Sequence, residues 1–204
     1  MTMEKQIIIN IGRQFGAGGL GVAHELGRKL GIPVYDKELI LKAAQDSGFS
    51  KIIFEESDEK KRFFSLSSIF ANGFSETENY MSDRGIFKMQ SQTIMKIAEQ
   101  GSAVIVGRCS DYVLRDRGNT LDVFLTSPLE VRAGRVAERQ GIPVEEARSL
   151  VERRDRSREE YYNYYTFGNW GMASNYDICM DSSMLGIEGT ADAIIEFARK
   201  AGLI

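Results

Sequence analysis

The sequence predicts an α/β fold in which a parallel sheet is covered by helices on both faces, and three observations predict it. Apolar, β-branched runs recur at Ile7–Ile11, Ile32–Tyr35, Ala103–Val106, Leu121–Leu125 and Tyr176–Met180. Helical periodicity fills the intervals, over Gly19–Leu30, Lys37–Asp46, Tyr80–Glu99, Pro128–Gln140, Val144–Tyr164 and Ile187–Ala201. Strands that alternate with helices are joined by crossovers, which makes the sheet parallel and buries both its faces. The third observation is the turn after the first run, where five glycines fall between Gly12 and Gly21. In such sheets ligands bind outside the carboxyl ends of the strands.

The first element pair carries the strongest functional signal. The segment IIINIGRQFGAGGLGVAHEL, Ile7 to Leu26, runs from a strand through a glycine-rich turn into a helix. Glycines let the backbone approach an anion, their N–H groups converge on it, and the helix N-terminus adds partial positive charge. Two patterns compete. Gly16, Gly18 and Gly21 satisfy the dinucleotide spacing G-x-G-x-x-G, with Asp36 placed as the ribose-binding acid. However, the apolar run stops at Ile11 and four residues intervene before Gly16, which suits a loop wrapped around phosphate. Aligned with G-x-x-x-x-G-K-[ST], Arg13 takes the first glycine position, Gly18 the last, Gly19 the lysine position and Leu20 the hydroxyl position.

The segment over residues 49–78 interrupts the alternation. It mixes a charge run, Glu55 to Arg62, with Phe63, Phe64, Leu66, Ile69 and Phe70, and reads as a helical excursion over the sheet. Its charges are those of a solvated face. Further on, Arg108 follows the third apolar run directly, at the carboxyl end of a central strand. A charge beside Gly107 at a strand's mouth is a poor structural choice and a good ligand contact. Ser127 and Pro128 read as the N-cap and first turn of the next helix.

Eight arginines lie between Arg132 and Arg158, interleaved with five acids. Pairing on exposed helix faces explains about half of them. The remainder sit on two helices joined by Gly141-Ile142-Pro143. Arginine stays charged and grips phosphate oxygens bidentately, so such helices can supply what phosphoryl transfer requires. Tyr161, Tyr162, Tyr164 and Tyr165 pack the end of the second helix, with one free to stack on a base or bond a phosphate.

Composition bounds the partners. A length of 204 residues suits one domain, and 43% apolar with 27% charged residues is ordinary for a soluble globular protein. A net charge of −3 gives no reason to expect nucleic acid, and no run is long enough to span a bilayer, so a cytoplasmic protein is expected. Cys109 and Cys179 suit a reduced compartment and are expected to be buried, small and apolar. His24, the sole histidine, excludes a histidine-rich metal site or a Ser-His-Asp triad supplied by this chain.

Taken in order, I-G-R-Q-F-G-A-G-G, G-I-P-V-Y-D-K-E-L-I, V-I-V-G-R, D-V-F-L-T-S-P-L-E-V-R-A-G-R, R-R-D-R-S-R-E-E-Y-Y and Y-D-I-C-M-D-S-S cover nearly the whole chain. Together they resemble the cytidylate kinase-like family, a branch of the nucleoside monophosphate kinases within the P-loop fold. The resemblance implies a three-layer α/β sandwich with a five-stranded parallel sheet over residues 1–204. It adds a helical acceptor-binding insertion over 49–87 and a small arginine-rich lid over 132–158. It implies transfer of the ATP γ-phosphate, with Mg2+, to a nucleoside monophosphate, expected to be a CMP-like pyrimidine nucleotide. By position, Gly12, Arg13, Gly16, Ala17, Gly18, Gly19 and Leu20 would hold donor phosphates, and Asp36, Lys37 and Arg108 would line the acceptor pocket. Arg132 and Arg135 would open the lid, Arg154 and Arg158 would reach the transferring phosphate, and Asp155 would face the acceptor's sugar. A binding protein for a nucleotide or another anion on the same fold stays open, as does a homo-oligomer.

The departures from the family pattern are specific. Gly19 and Leu20 lack the charge and the hydroxyl, and Val106 stands where cytidylate kinases carry an acid, so no protein metal ligand is expected. Gln90 and Gln92 occupy the region where paired arginines would hold the acceptor phosphate. Arg13 and Lys37 are the two cations placed to replace the missing lysine.

Overall fold

The computed structural model describes residues 6–46 and 84–204. Five strands form one all-parallel sheet: β1 (Ile8–Arg13), β2 (Val34–Tyr35), β3 (Ala103–Val106), β4 (Thr120–Thr126) and β5 (Ile178–Asp181), in the order β2-β3-β1-β4-β5. The described helices are α1 (Gly19–Leu30), α2 (Lys37–Asp46), α3 (Arg84–Gln100), α4 (Ser110–Val113), α5 (Leu129–Gln140), α6 (Val144–Thr166) and α7 (Ser182–Lys200). The expected excursion over 49–78 lies outside the described residues. The same holds for 80–83 of the expected third helix.

The order removes the dinucleotide reading. In that fold β2 neighbours β1, whereas here β3 lies between them. The β1 strand also runs two residues past its apolar run. Gly12 pairs with Phe124 and Arg13 with Leu125, so backbone hydrogen bonding to β4 extends the strand after hydrophobicity stops.

Alternation along β1 sets both layers. Ile9 and Ile11 pack with Val22 and Leu26 of α1 and with Ile194 and Ala198 of α7. Ile8 faces the other way, against Ile94 and Ile97 of α3 and Ile40 of α2. On that second face the sequence changes character toward the strand end, from Ile8 to Asn10 to Gly12. Asn10 Nδ2 donates to Asp122 Oδ1 at 2.7 Å, and Gly12 opens onto a cleft. The core therefore gives way to a site at the carboxyl ends of β1 and β3.

Helices α5 and α6 form a hairpin with its own small core of Val136, Ala137, Ala147 and Val151, against which Phe15 packs. Gly141, left-handed at φ 67°, ends α5 by donating to Ala137 O at 2.8 Å. Two local expectations fail here. Pro128, not Ser127, is the N-cap of α5; the buried Ser127 instead bonds Ser182 Oγ at 3.0 Å. Cys109 is buried as expected, but Cys179 is exposed because β5 is an edge strand paired only with β4. Finally, α7 begins five residues before its apolar period, capped by Asp181, which accepts from Ser183 N at 2.8 Å, and it kinks at Gly186.

Candidate active site at the carboxyl ends of the strands

The glycine-rich turn leads straight into α1. Gly18 is the N-cap at φ 80°, a left-handed conformation that glycine adopts without cost, and no side chain caps it. Among the described residues no side chain accepts from the amides of Gly16, Gly18 or Gly19. Ala17 is buried and its carbonyl accepts from Ser182 Oγ at 2.5 Å. Leu20 points outward, 45% exposed. The loop presents uncapped backbone amides at a helix N-terminus and lacks the hydroxyl.

Phe15, at the tip of the loop, is the point where the arginine helices grip it. Its N–H donates to Asp155 Oδ1 at 2.6 Å and its carbonyl accepts from Arg132 Nη1 at 3.0 Å. The guanidinium carbons of Arg158, Arg139 and Arg154 lie 5.2, 5.6 and 6.0 Å from its ring centroid. Arg132 is buried: Nε donates to Ser127 O at 2.8 Å and Nη1 pairs with Asp155 Oδ2 at 2.5 Å. The structure thus places Arg132 and Asp155 in a brace behind the loop. It does not bring them into the cleft: the resemblance had Arg132 opening a lid and Asp155 facing the acceptor's sugar, and here the two are bonded to each other and to Phe15. Asp36 is likewise occupied, with Oδ1 accepting from the N–H groups of Glu38 and Leu39 at the start of α2.

The cleft itself gathers five cations. Gly12, Gly107, Arg13, Lys37, Arg108, Arg154 and Arg158 all line it. Arg154, Ser157, Arg158 and Tyr161 fall on one stripe of α6 at the i, i+3, i+4, i+7 spacing. Arg158 Nη1 also donates to Arg13 O at 3.0 Å, which ties α6 to the end of β1. Arg135 stands apart on the loop side. Its Nη1 lies 3.9 Å from where a Cβ on Gly18 would stand, and that buried nitrogen makes no hydrogen bond among the described residues.

Arg108 reaches the cleft through a strained turn. Gly107, Arg108 and Cys109 have φ of 74°, 58° and 55°, three successive left-handed residues. A non-glycine residue held this way costs about 1–2 kcal/mol. The turn persists because Gly107 N donates to Ile11 O at 3.1 Å and Cys109 is buried. It lays the Arg108 guanidinium carbon 5.4 Å from the centroid of Tyr161.

Crowded positive charge leaves its mark on the protonation equilibria. Burial, then Arg108 and Arg154, push the Lys37 ammonium down to about 7. Burial, then Arg158 and Arg108, hold the Arg13 guanidinium well below its ordinary value, and Asp36 only partly offsets them. Such a set of cations is stabilised by a multiply charged anion.

The rest of the lining is largely aromatic: Tyr161, Tyr162, Trp170 and Tyr176, with Asp111 among them. Tyr162 donates to Asp111 Oδ2 at 2.7 Å, and burial raises the Asp111 carboxyl. Gln90, where a phosphate-binding arginine was expected, is buried and accepts from Tyr161 OH at 3.3 Å. Sequence reading missed Phe15, Asp111, Trp170 and Tyr176. Only Phe15 left a signal, as an aromatic residue inside a phosphate-type loop.

Among the described residues magnesium finds no protein-built cage. Among the described residues no three metal-ligating side chains cluster, and the hydroxyl position holds the exposed Leu20. No described helix is long and apolar enough to cross a membrane.

An uncapped loop at a helix N-terminus, a β2-β3-β1-β4-β5 parallel sheet and a cationic cleft at the strand ends define an α/β phosphate-handling protein of the P-loop kinase fold. The cytidylate kinase-like family model matches residues 8–184, and the chain belongs to that family. It is a kinase, a phosphotransferase. The chain is 28% identical to the cytidylate kinase of Methanopyrus kandleri over 186 residues, 87% of this chain and 85% of that one. It is 35% identical to the cytidylate kinase of Pyrococcus horikoshii over 96 residues, about half of each chain. A crystal structure of an uncharacterized protein from Eubacterium ventriosum aligns with a TM-score of 0.72 at 30% identity, covering 94% of this chain and 98% of that one. Shikimate kinase from Bacteroides thetaiotaomicron shares the fold, with a TM-score of 0.56 at 16% identity over 95% of this chain and 99% of that one.

Proposed function

We propose that this protein is a cytoplasmic nucleotide kinase that transfers the γ-phosphate of ATP to a pyrimidine nucleoside monophosphate such as CMP. The observation that carries the reading is the convergence of Arg13, Lys37, Arg108, Arg154 and Arg158 on one cleft beside a phosphate-type loop. An acceptor phosphate oxygen attacks the γ-phosphorus in line and ADP departs, with no covalent enzyme intermediate. Charge on the transferring group is spread over its equatorial oxygens, so fixed guanidinium groups supply most of the catalysis. Loop amides and Arg135 hold the donor, Arg108 and Lys37 the acceptor phosphate, and the tyrosine–Trp170 wall offers a stacking surface for the acceptor's base. Magnesium, carried on the nucleotide's phosphates, would add charge neutralisation.

A second reading, a kinase for another phosphate-bearing acceptor, is favoured by one feature. The buried Gln90 accepts from Tyr161 in the region where the family resemblance implies paired arginines for the acceptor phosphate. A coupled ADP-release assay against the common nucleoside monophosphates separates the two. Turnover selective for CMP, UMP or dCMP supports the first, and absence of turnover with any of them at high enzyme concentration refutes it.

A further inference from the structure

Two glycines of the site lie against one arginine, Gly19 against its stem and Gly107, itself left-handed, against its guanidinium. A Cβ on Gly19 would stand 2.7 Å from Arg13 Cγ and 2.9 Å from Arg13 Cβ, and a Cβ on Gly107 would overlap Arg13 Nη1. The stem of Arg13 therefore lies across the first residue of α1, and its guanidinium rests on the turn after β3. Gly19 is the first residue of α1 and its backbone is not in the left-handed region, so its conformation does not require glycine. Close approach explains it, not backbone freedom.

Gly19 is also the position that holds lysine in G-x-x-x-x-G-K-[ST], and Arg13 is the position that holds the first glycine. The two residues have exchanged character, and each exchange requires the other. A side chain at 19 would collide with Arg13, while glycine at 13 would leave the loop with no cation of its own. The backbone of Arg13 is fixed by pairing with Leu125 in β4 and by the Arg158 hydrogen bond to its carbonyl. Among the described residues no carboxylate forms an ion pair with it.

We propose that Arg13 supplies the phosphate-neutralising charge of the missing P-loop lysine, delivered from the end of β1 across Gly19 instead of from the first turn of α1. This deepens the nucleotide-kinase reading and rests on it. Lys37 is the weaker candidate. It enters from α2, and burial with the neighbouring arginines holds its ammonium at about 7, half neutral at working pH; the same causes lower Arg13, but from a guanidinium's higher ordinary value.

The test uses Arg13→Gln, Arg13→Lys and the double variant Arg13→Gly/Gly19→Lys in the full chain. Calorimetric titration with inorganic tripolyphosphate reads binding apart from activity, and the ADP-release assay reads transfer. Arg13→Gln keeps most of the stem and loses the charge. Its tripolyphosphate affinity should fall on the order of tenfold and its kcat about 10²–10³-fold, as for loss of one transition-state donor. Arg13→Lys should retain binding within about threefold. The double variant, with lysine in its ordinary place, should recover at least tenfold of the kcat that Arg13→Gln loses. A folded Arg13→Gln with wild-type affinity and kcat overturns the proposal. So does a folded double variant that recovers neither relative to Arg13→Gln or, where Arg13→Gln fails to fold, relative to the single variant Arg13→Gly. A wild-type chain inactive toward every acceptor refutes the kinase reading alone, and the tripolyphosphate titrations still decide Arg13.

Discussion

Replacing Arg132 by Met separates a brace from a catalytic arginine. The Arg132 side chain is 7% exposed and its ion-pair partner Asp155 16% exposed, and it bonds three separate segments: Ser127 O, Phe15 O and Asp155. Methionine fills part of the stem's volume but leaves two carbonyls and a carboxylate without their donor. Breaking a buried pair by removing one partner costs about 3–5 kcal/mol. Asp155 keeps the Phe15 N–H, which places the expected loss near ~3 kcal/mol, against a total stability of roughly 5–15 kcal/mol. For a domain of this size 1 kcal/mol moves Tm by about 2–4 °C, so Arg132→Met should melt about 10 °C below wild type. Circular dichroism melts, with urea unfolding as a second measure, read this directly. Arg158→Met, at a residue that lines the cleft, should melt within about 3 °C of wild type. An Arg132→Met variant that keeps its Tm yet loses activity would refute the brace.

Three more outcomes follow from the site. Lys37, held at about 7, must take up a proton when an anion binds above that pH. Tripolyphosphate affinity should therefore fall as pH rises from about 7.5 to 9, with calorimetric proton uptake that Lys37→Met abolishes. Unchanged uptake in that variant would assign the proton elsewhere. Asp122 is pushed from 3.8 to about 6, chiefly by burial, so the folded chain binds its proton more tightly than the unfolded one. That contribution is fully present below about 3.8 and is lost as pH rises through 6, a change of at most ~3 kcal/mol before solvent screening reduces it. Asp122→Asn should flatten this part of the urea-midpoint profile against pH, and a profile as steep as wild type would contradict the assignment. Arg108→Ala and Arg158→Ala should each depress kcat/KM about 10²-fold or more, with Tm nearly unchanged. A Tm loss matching the activity loss would make them structural.

Much of this was legible because period decides layer. The five apolar runs became the five strands, and the glycine-rich turn became an uncapped helix N-terminus. The α6 stripe was legible too, since Arg154, Ser157, Arg158 and Tyr161 fall at one helical spacing while Arg153 and Arg156 are exposed. The division of labour among arginines was not. Arg132 and Arg135 are i, i+3 on one helix, yet one is locked to Phe15 and Asp155 while the other leans on Gly18. Spacing gives a face, and only the packing of α5 against the loop tip determines what that face meets. Asp36 illustrates the same limit, because an acid before a helix can serve a ligand or cap its own backbone, and here it caps.

Motif matching and electrostatics diverge most clearly at the loop. A pattern search scores Gly19 as a loss, because the residue type at one position has changed. Catalysis depends instead on where positive charge stands relative to the phosphates, and a cation can reach one region from more than one backbone origin. Here the stem that crosses Gly19 starts at the end of β1 and ends against Gly107. The same turn holds Arg108 and Cys109 in a conformation that costs about 1–2 kcal/mol for each. Relaxing that turn would swing Arg108 off Tyr161 and remove the surface on which the Arg13 guanidinium rests. Strain at β3 and the exchange at the loop are thus one arrangement, and a chain with only half of it would have either a clash or an uncharged loop.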